Sequence, residues 1–596
     1  MSARASDDAL ARAPEGGLGS WEFADDAVRV AIEVVGRSGV VPQLCAWRSA
    51  ERERLGRHPG GAPERFSSEA LFVAMTLAAL HHRPMLATTF RDILFRHITP
   101  TMRARLGVPE PPPVDDRRAW EALHRCVRTR LHGLLDAVDP SVLPKNRRLA
   151  PDELDAAVRT YRAERDLSDE VLAARHDRLT WLVNALLEAS LSYVPRDIRR
   201  HWRGSVAVDA TPVPAFSRAE ERERRKGRGR RTVVTHAADP DAGYYVRADD
   251  QPGTDRAERK LRDAIWAYEA TIVVSGNDNP NTEQPFPCLV EAMAPLHQPG
   301  TAVGQNATLA LTSLAARGHP TGWLAGDRAY TNAQPEHFQL PARALGYRPI
   351  LDYRIDQLGV QNSHGGGLMI EGAWYCPAIP DALQNATIEF RARRIDETTW
   401  RERIEARRPF LMRRKERPDA EGHVRRLCPA SDPAYTGRCE LKPRSIERTT
   451  ATTTRIPVTD AQRLHPAKVC VQQSTTFPPE AAAKFAQDLH FGSTEWAGIY
   501  HTLRNAVEGI NGIAKDGGYA ALGDARRRRI RGVTAQSLFA ALLLMATNMR
   551  AIRSFQHKAL PDIHGTLRRR RKRRRATQPI AAWTPSVVAR AGAPPP

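Results

Sequence analysis

Residues 202–213 read WRGSVAVDATPV, and the fold class turns on them. The chain before this point is patterned for helix. Here a short apolar run, SVAVD, ends in an acid, as expected of a buried strand delivering Asp209 at its tip. Just downstream, RTVVTHAADPDAGYYVR (231–247) predicts a β-hairpin turning at Asp239-Pro240-Asp241, and ATIVVSG (270–276) predicts a further strand. A helix over 304–316 leads through Gly318-His319-Pro320 to TGWLAGDRAY (321–330), a second strand ending in an acid, Asp327. PEHFQLPARALGY (335–347) reads mostly as helix, interrupted by Pro341, and RPILDY (348–353) as strand. Hairpin strands followed by helix–strand alternation give an α/β class: a mixed sheet with helices on its faces.

Working outward, residues 1–65 are rich in Gly, Pro, Arg and Glu and read as a flexible N-terminal segment with a short ordered stretch. Residues 66–199 are helical. SSEALFVAMTLAALHH (67–82) has a capping serine and a broad apolar stripe, LATTFRDILFRHI (86–98) is a second helix, and helical patterns also cover 116–138 and 151–193. PEPPPV (109–114) breaks the helical groups. The sheet-forming region spans 200–360. Residues 361–490, with many Thr, Pro, Arg and Cys, read as an inserted β-containing subdomain; 491–555 return to helix, and 556–596 read as a basic, disordered tail.

At 596 residues the chain is long enough for several domains. Its formal net charge is +21, and the excess is uneven: 525–575 hold sixteen basic residues and one acid, Asp562. Such clustering suits a polyanion. A membrane partner is not expected, because the apolar run SLFAALLLMATNM (537–549) is shorter than the roughly 20 residues that span a bilayer. The N-terminus lacks signal-peptide organisation, and seven scattered cysteines make no disulfide framework, so a cytoplasmic protein with reduced thiols is expected. Cys376, Cys428, Cys439 and Cys470 fall in the insertion at intervals of 52, 11 and 31 without a Cys-x₂-Cys knuckle. They read as unpaired small thiols, with a structural zinc as the alternative. His81, His82 and His236 read as packing or hydrogen-bonding residues.

YHTLRNAVEGINGIAKDGGY (500–519) sets an acid between bases. At about 100° per residue, Tyr500, Arg504, Glu508 and Lys515 share one helical arc of about 80°. A solvated helix with an i,i+4 Arg–Glu pair, worth about 0.2–0.5 kcal/mol, is the simplest account. It leaves the glycines at 509, 512, 517 and 518 unexplained, whereas they would let another chain or DNA come close. With Asp209 and Asp327, Glu508 completes a set of two strand-tip carboxylates and one helical carboxylate. Such a set can surround a pair of hard divalent cations, Mg²⁺ above all, that activate a water or 3′-hydroxyl and stabilise the leaving oxygen in phosphoryl transfer.

On these residues the chain resembles the DDE-type bacterial insertion-sequence transposases, in the branch whose third acid lies in a Tyr…Arg…Glu…Lys helix and follows a β-rich insertion. Three residues separate Arg504 from Glu508 and six separate Glu508 from Lys515, as in that family; VAVDATPV resembles its first-Asp strand and LAGDRAY its second-Asp motif. Two features depart from it: three residues rather than two separate Tyr500 from Arg504, and Ala-Thr follows the first Asp. The resemblance covers 200–360 and 491–555.

It implies an RNase H-like catalytic core that nicks and joins transposon ends, with Asp209, Asp327 and Glu508 holding Mg²⁺, for which Mn²⁺ can substitute. Arg504 and Lys515 would hold end phosphates, and Tyr500 would help position that strand. The implied partners are double-stranded DNA with terminal inverted repeats, target DNA and further copies of the chain in a synaptic complex, in a nucleoid-associated setting. Arg328 is a candidate phosphate contact or a surface ion pair. Arg526, Arg527, Arg528 and Arg529 in ARRRRIR (525–531) are candidate contacts to the DNA backbone, and SRAEERERRKGRGRR (217–231) is either a DNA-approaching or a solvated loop. End recognition is expected from the helices of 66–199. An RNase H-fold nuclease without strand transfer, and a domesticated non-catalytic DNA-binding protein, are the alternatives.

Overall fold

A computed structural model describes residues 22–57, 64–224, 231–247, 262–432, 437–447 and 455–559. Among them, six strands form the central sheet: β1 (Val206–Pro214), β2 (Gly243–Arg247), β3 (Arg262–Ser275), β4 (Val290–Met293), β5 (Trp323–Gly326) and β6 (Arg348–Leu351). β1 runs antiparallel to β3, with Asp209 opposite Ile272, and parallel to β5; β5 runs parallel to β6. β3 is long enough to take β2 along its first half and β4 along its second, both antiparallel.

Alternation along β1 sorts its side chains between two cores. Val206 and Val208 pack with Leu324, Ala310, Leu311 and Leu314, the last three from helix α1 (Val303–Ala316). Ala207 and Val213 face the other layer, which holds helix α2 (Thr494–Lys515) and helix α3 (Val533–Ala559). Asp209 follows Ala207 by two and shares its face. α2 can lie close to the sheet because position 276 is glycine: a Cβ there would meet Leu503 Cδ2 at 2.5 Å.

The exposed edge of β4 is closed by side chains from two helices. Asn548 of α3 accepts from Val290 N at 2.8 Å and donates to Val290 O at 2.9 Å. Asn184, in the helix Asp169–Leu191, does the same for Met293 at 3.0 and 2.9 Å. Each amide mimics a neighbouring strand, which removes an edge open to aggregation.

Several expectations need correction. The segment 231–247 is not a hairpin. Arg231–Thr235 pairs with Glu221–Arg224, while β2 pairs with β3. Asp239 and Asp241 are instead drawn off to the start of α3, accepting from Gly532 N at 3.2 Å and Val533 N at 3.3 Å. Much of the N-terminal segment expected to be flexible is helical, over Asp25–Ser38 and Val40–Arg54. Ala27, Val28, Ala31, Val34 and Val35 give the first of these a buried stripe at helical spacing, which outweighs the flanking loop-like composition. The apolar run at 537–549 belongs to a much longer helix, and Val533–His557 is long and apolar enough to cross a membrane, but 83% of its most apolar window is buried inside the protein. Residues 361–490 contain short helices as well as strands, the latter in a three-stranded sheet (including Ala373–Tyr375) and a pairing of Val424–Leu427 with Ser474–Phe477. The tail beyond 559 and part of the 217–231 segment lie outside the described residues.

Candidate active site

β1 carries Asp209 into the space under α2. Its carboxylate accepts from Asn511 Nδ2 at 2.7 Å and lies 3.4 Å from Arg504 Nη1. The same guanidinium reaches Glu508 Oε1 at 3.4 Å through Nη2 and Val208 O at 3.4 Å through Nη1. One half-buried cation thus spans two of the three expected acids. Asp327 follows β5, the parallel neighbour of β1, and caps the short helix Arg328–Thr331 by accepting from Ala329 N at 2.8 Å.

The charges are coupled. Burial pushes the Asp209 carboxyl above its usual range; Arg504 opposes that rise and Asp327 adds to it. Burial works against the Arg504 cation, yet Asp209, Tyr500 and Asp327 together hold it firmly protonated. Asp209 is 13% exposed and Glu508 60%, so the first acid is fixed and the third has room to turn.

Lys515, at the end of α2, is half-buried. Tyr500 is buried against Trp496, with rings stacked at 4.8 Å, and its hydroxyl points at Gly326 O, 3.5 Å away. It therefore braces the residue before Asp327 instead of offering a surface to a DNA strand. Along that shared arc of α2, Tyr500 is buried, Arg504 and Lys515 are half-buried and Glu508 is exposed. Beside Glu508, a Cβ built at Gly509 or Gly512 would meet no atom within 4 Å, so this face is smooth and open.

Arg328 pairs with Asp352, Nε to Oδ2 at 2.8 Å. The four consecutive arginines divide. Arg526 and Arg529 are exposed, and Arg527 is half-buried and donates to His82 O. Arg528 is fully buried and donates to Leu522 O at 2.8 Å, Ala521 O at 3.0 Å and Gln536 Oε1 at 3.2 Å. It is a structural tie and is unavailable to DNA, because unsatisfied carbonyls in this tight turn claim its planar donors.

Three participants escaped the sequence reading. Asn511 continues the Arg504–Glu508 stripe by three residues, a signal that spacing alone could have supplied. Asp352 directly follows its strand, as Asp327 follows β5; Asp209, expected at a strand tip, lies instead within β1, which continues in register with β3 to Pro214. Glu269 is an acid inside the apolar strand β3; burial raises its carboxyl, with Asp327 and Asp209 adding to the rise, while Gly300 N donates to it at 2.9 Å.

The donor chemistry of Asp209, Asp327 and Glu508 fits a hard cation, all oxygen and partly desolvated. Their ligand atoms are not drawn within 4.8 Å of one another. Among the described residues that condition is met by Asp419, Glu421 and His423, a largely exposed group in one turn. That turn is accounted for by its own bonds, His423 N to Asp419 Oδ1 at 2.7 Å and Gly422 N to Asp419 O at 3.0 Å. No family model, no curated protein and no solved structure matches the chain.

Proposed function

We propose that the protein is a DNA transposase with an RNase H-like catalytic core, which nicks transposon ends and joins them to target DNA by divalent-metal-dependent phosphoryl transfer. The observation that carries this reading is the meeting of Asp209, from the central strand, with Arg504 and Glu508 from α2, beside Asp327 at the tip of the adjoining parallel strand. Residues 302 positions apart along the chain, Asp209 and Asn511, are hydrogen-bonded there. A purely structural ion pair would not call for a third carboxylate at a strand tip, nor for an open glycine face beside it.

Asp209, Asp327 and Glu508 would hold Mg²⁺, with Arg504 releasing Asp209 and Glu508 turning inward. The ions, when bound, supply Lewis-acid activation of the attacking oxygen and charge stabilisation of the leaving one. The chain's own residues do the rest. Asn511 orients the Asp209 carboxylate, Tyr500 braces the backbone before Asp327, and Arg504, once released, offers a planar fork to a phosphate. The smooth surface of Gly509 and Gly512 lets the duplex backbone approach Glu508.

The test is a strand-transfer assay with the DNA ends that flank the gene, in Mg²⁺. Joining of 3′-hydroxyl ends to a target plasmid is the expected result. Cleavage without joining on matched terminal inverted repeats would favour a nuclease, and binding without cleavage in any metal would favour a non-catalytic DNA-binding protein.

A further inference from the structure

The insertion gathers its cysteines. Cys376 follows the strand Ala373–Tyr375, Cys428 follows Val424–Leu427, Cys439 lies in a turn, and Cys470 lies in the short helix Lys468–Val471. All four are buried and unbridged. They also converge: Cys376, Cys428 and Cys439 share one apolar cluster, and the pairing of Leu427 with Ser474, with Cys428 N donating to Gln473 O at 3.0 Å, brings the segment of Cys470 alongside. Separations of 52, 11 and 31 residues conceal this convergence from the sequence.

The backbone around them is arranged for sulfur. The tripeptide Cys-Pro-Ala occurs at 376–378 and again at 428–430. Three of the cysteines open a tight turn, with Ile379 N on Cys376 O at 3.1 Å, Ser431 N on Cys428 O at 2.9 Å and Lys442 N on Cys439 O at 2.9 Å. Lys442 ties two of these turns together, its Nζ donating to Val471 O and Gln472 O at 3.1 Å each. The apolar support is thin and split in two, Cys376, Cys428 and Cys439 in one small cluster and Cys470 in the other.

We propose that Cys376, Cys428, Cys439 and Cys470 hold one structural Zn²⁺ ion that fastens the four segments of the insertion. Four thiols each lose a proton to solvent as four Zn–S bonds form, leaving a site of charge −2 that the Lys442 ammonium partly offsets. Tetrahedral Zn–S bonds of about 2.3 Å set the sulfurs about 3.8 Å apart. The thiols do not form a group within 4.8 Å of one another, so binding draws the segments inward.

The full-length protein, purified reduced, given Zn²⁺ and desalted, is assayed for metal by mass spectrometry. About one zinc per chain is expected, with stepwise release as a mercurial titrates thiols. Cobalt(II) in its place should show thiolate-to-metal charge-transfer absorption. Cys428→Ser and Cys439→Ser should each lower retained zinc at least tenfold, and Cys126→Ser should leave it unchanged. Wild type that retains no zinc, or whose zinc survives modification of the thiols, overturns the assignment even if the serine variants fail to fold.

Discussion

Arg504 lies 3.4 Å from both Asp209 and Glu508, so it holds together two carboxylates that would otherwise repel. A side chain in that position does for the metal-free site what a divalent ion would do for the loaded one. Arg504→Ala should therefore leave a stronger demand for a cation. In thermal melts, added Mg²⁺ should raise the Tm of the variant more than that of wild type, since a ligand stabilises according to its affinity for the folded state. Equal shifts would mean that Arg504 and the ion do not compete. At this scale the sequence was readable where spacing and chemistry agree, as for Asp209, Arg504 and Glu508. Arg528 was unreadable because four identical arginines carry no record of which one the turn will bury. The burial of Tyr500 is hidden from the sequence because a helical arc does not say how far the helix is sunk into the sheet.

Two elements depend on polar groups that replace strand or helix partners. Asn548 satisfies both the N–H and the carbonyl of Val290. Asn548→Leu would leave two buried backbone groups unpaired, and chemical denaturation should register a loss of about 2–5 kcal/mol. Asp241, which accepts from Val533 N at the start of α3, is pushed up to about 6 by burial, with Lys145 opposing and Asp139 and Asp239 adding to the rise; Ser141 donates to it. The folded state thus keeps a proton that the unfolded chain, near 3.8, has released. Asp241's contribution to stability is greatest below that lower value and falls as pH rises towards about 6. Urea unfolding at a series of pH values should show this fall in wild type and a flatter profile in Asp241→Asn; parallel profiles would remove Asp241 as the cause. The paired role of Asp239 and Asp241 also explains the missing hairpin. Asp-Pro-Asp is a good local turn signal, but a distant helix start competes for the same carboxylates, and only tertiary structure decides that contest.

Across the whole molecule, mixed sheet and helical layers were legible because strand alternation and helix spacing are local. The insertion was not, because its short strands and helices are joined by contacts between distant segments. Charge was legible as a total and as a cluster, but not residue by residue. Arg526 and Arg529, in the link that follows α2 with its open face, are exposed, whereas Arg528 is enclosed. If the duplex lies along that face, the Arg526→Ala, Arg529→Ala double variant should weaken DNA binding alike on all sequences. It should also lower the slope of log K against log salt by about 1–2, since each phosphate contact contributes about 0.9. Arg528→Ala should lower Tm instead. An unchanged slope in the double variant would move the DNA path elsewhere.

The central claim is that Asp209, Asp327 and Glu508 form one phosphoryl-transfer site, and Glu508→Gln tests it most directly. The substitution keeps size and hydrogen-bonding capacity while removing the ligand charge, at a residue exposed enough to leave folding intact. On DNA carrying the flanking ends, in Mg²⁺, wild type should nick and join, while the variant should bind those ends with unchanged affinity and lose at least about a thousandfold in cleavage rate, a loss of about 4 kcal/mol in transition-state stabilisation. Cleavage by Glu508→Gln at the wild-type rate would contradict the account.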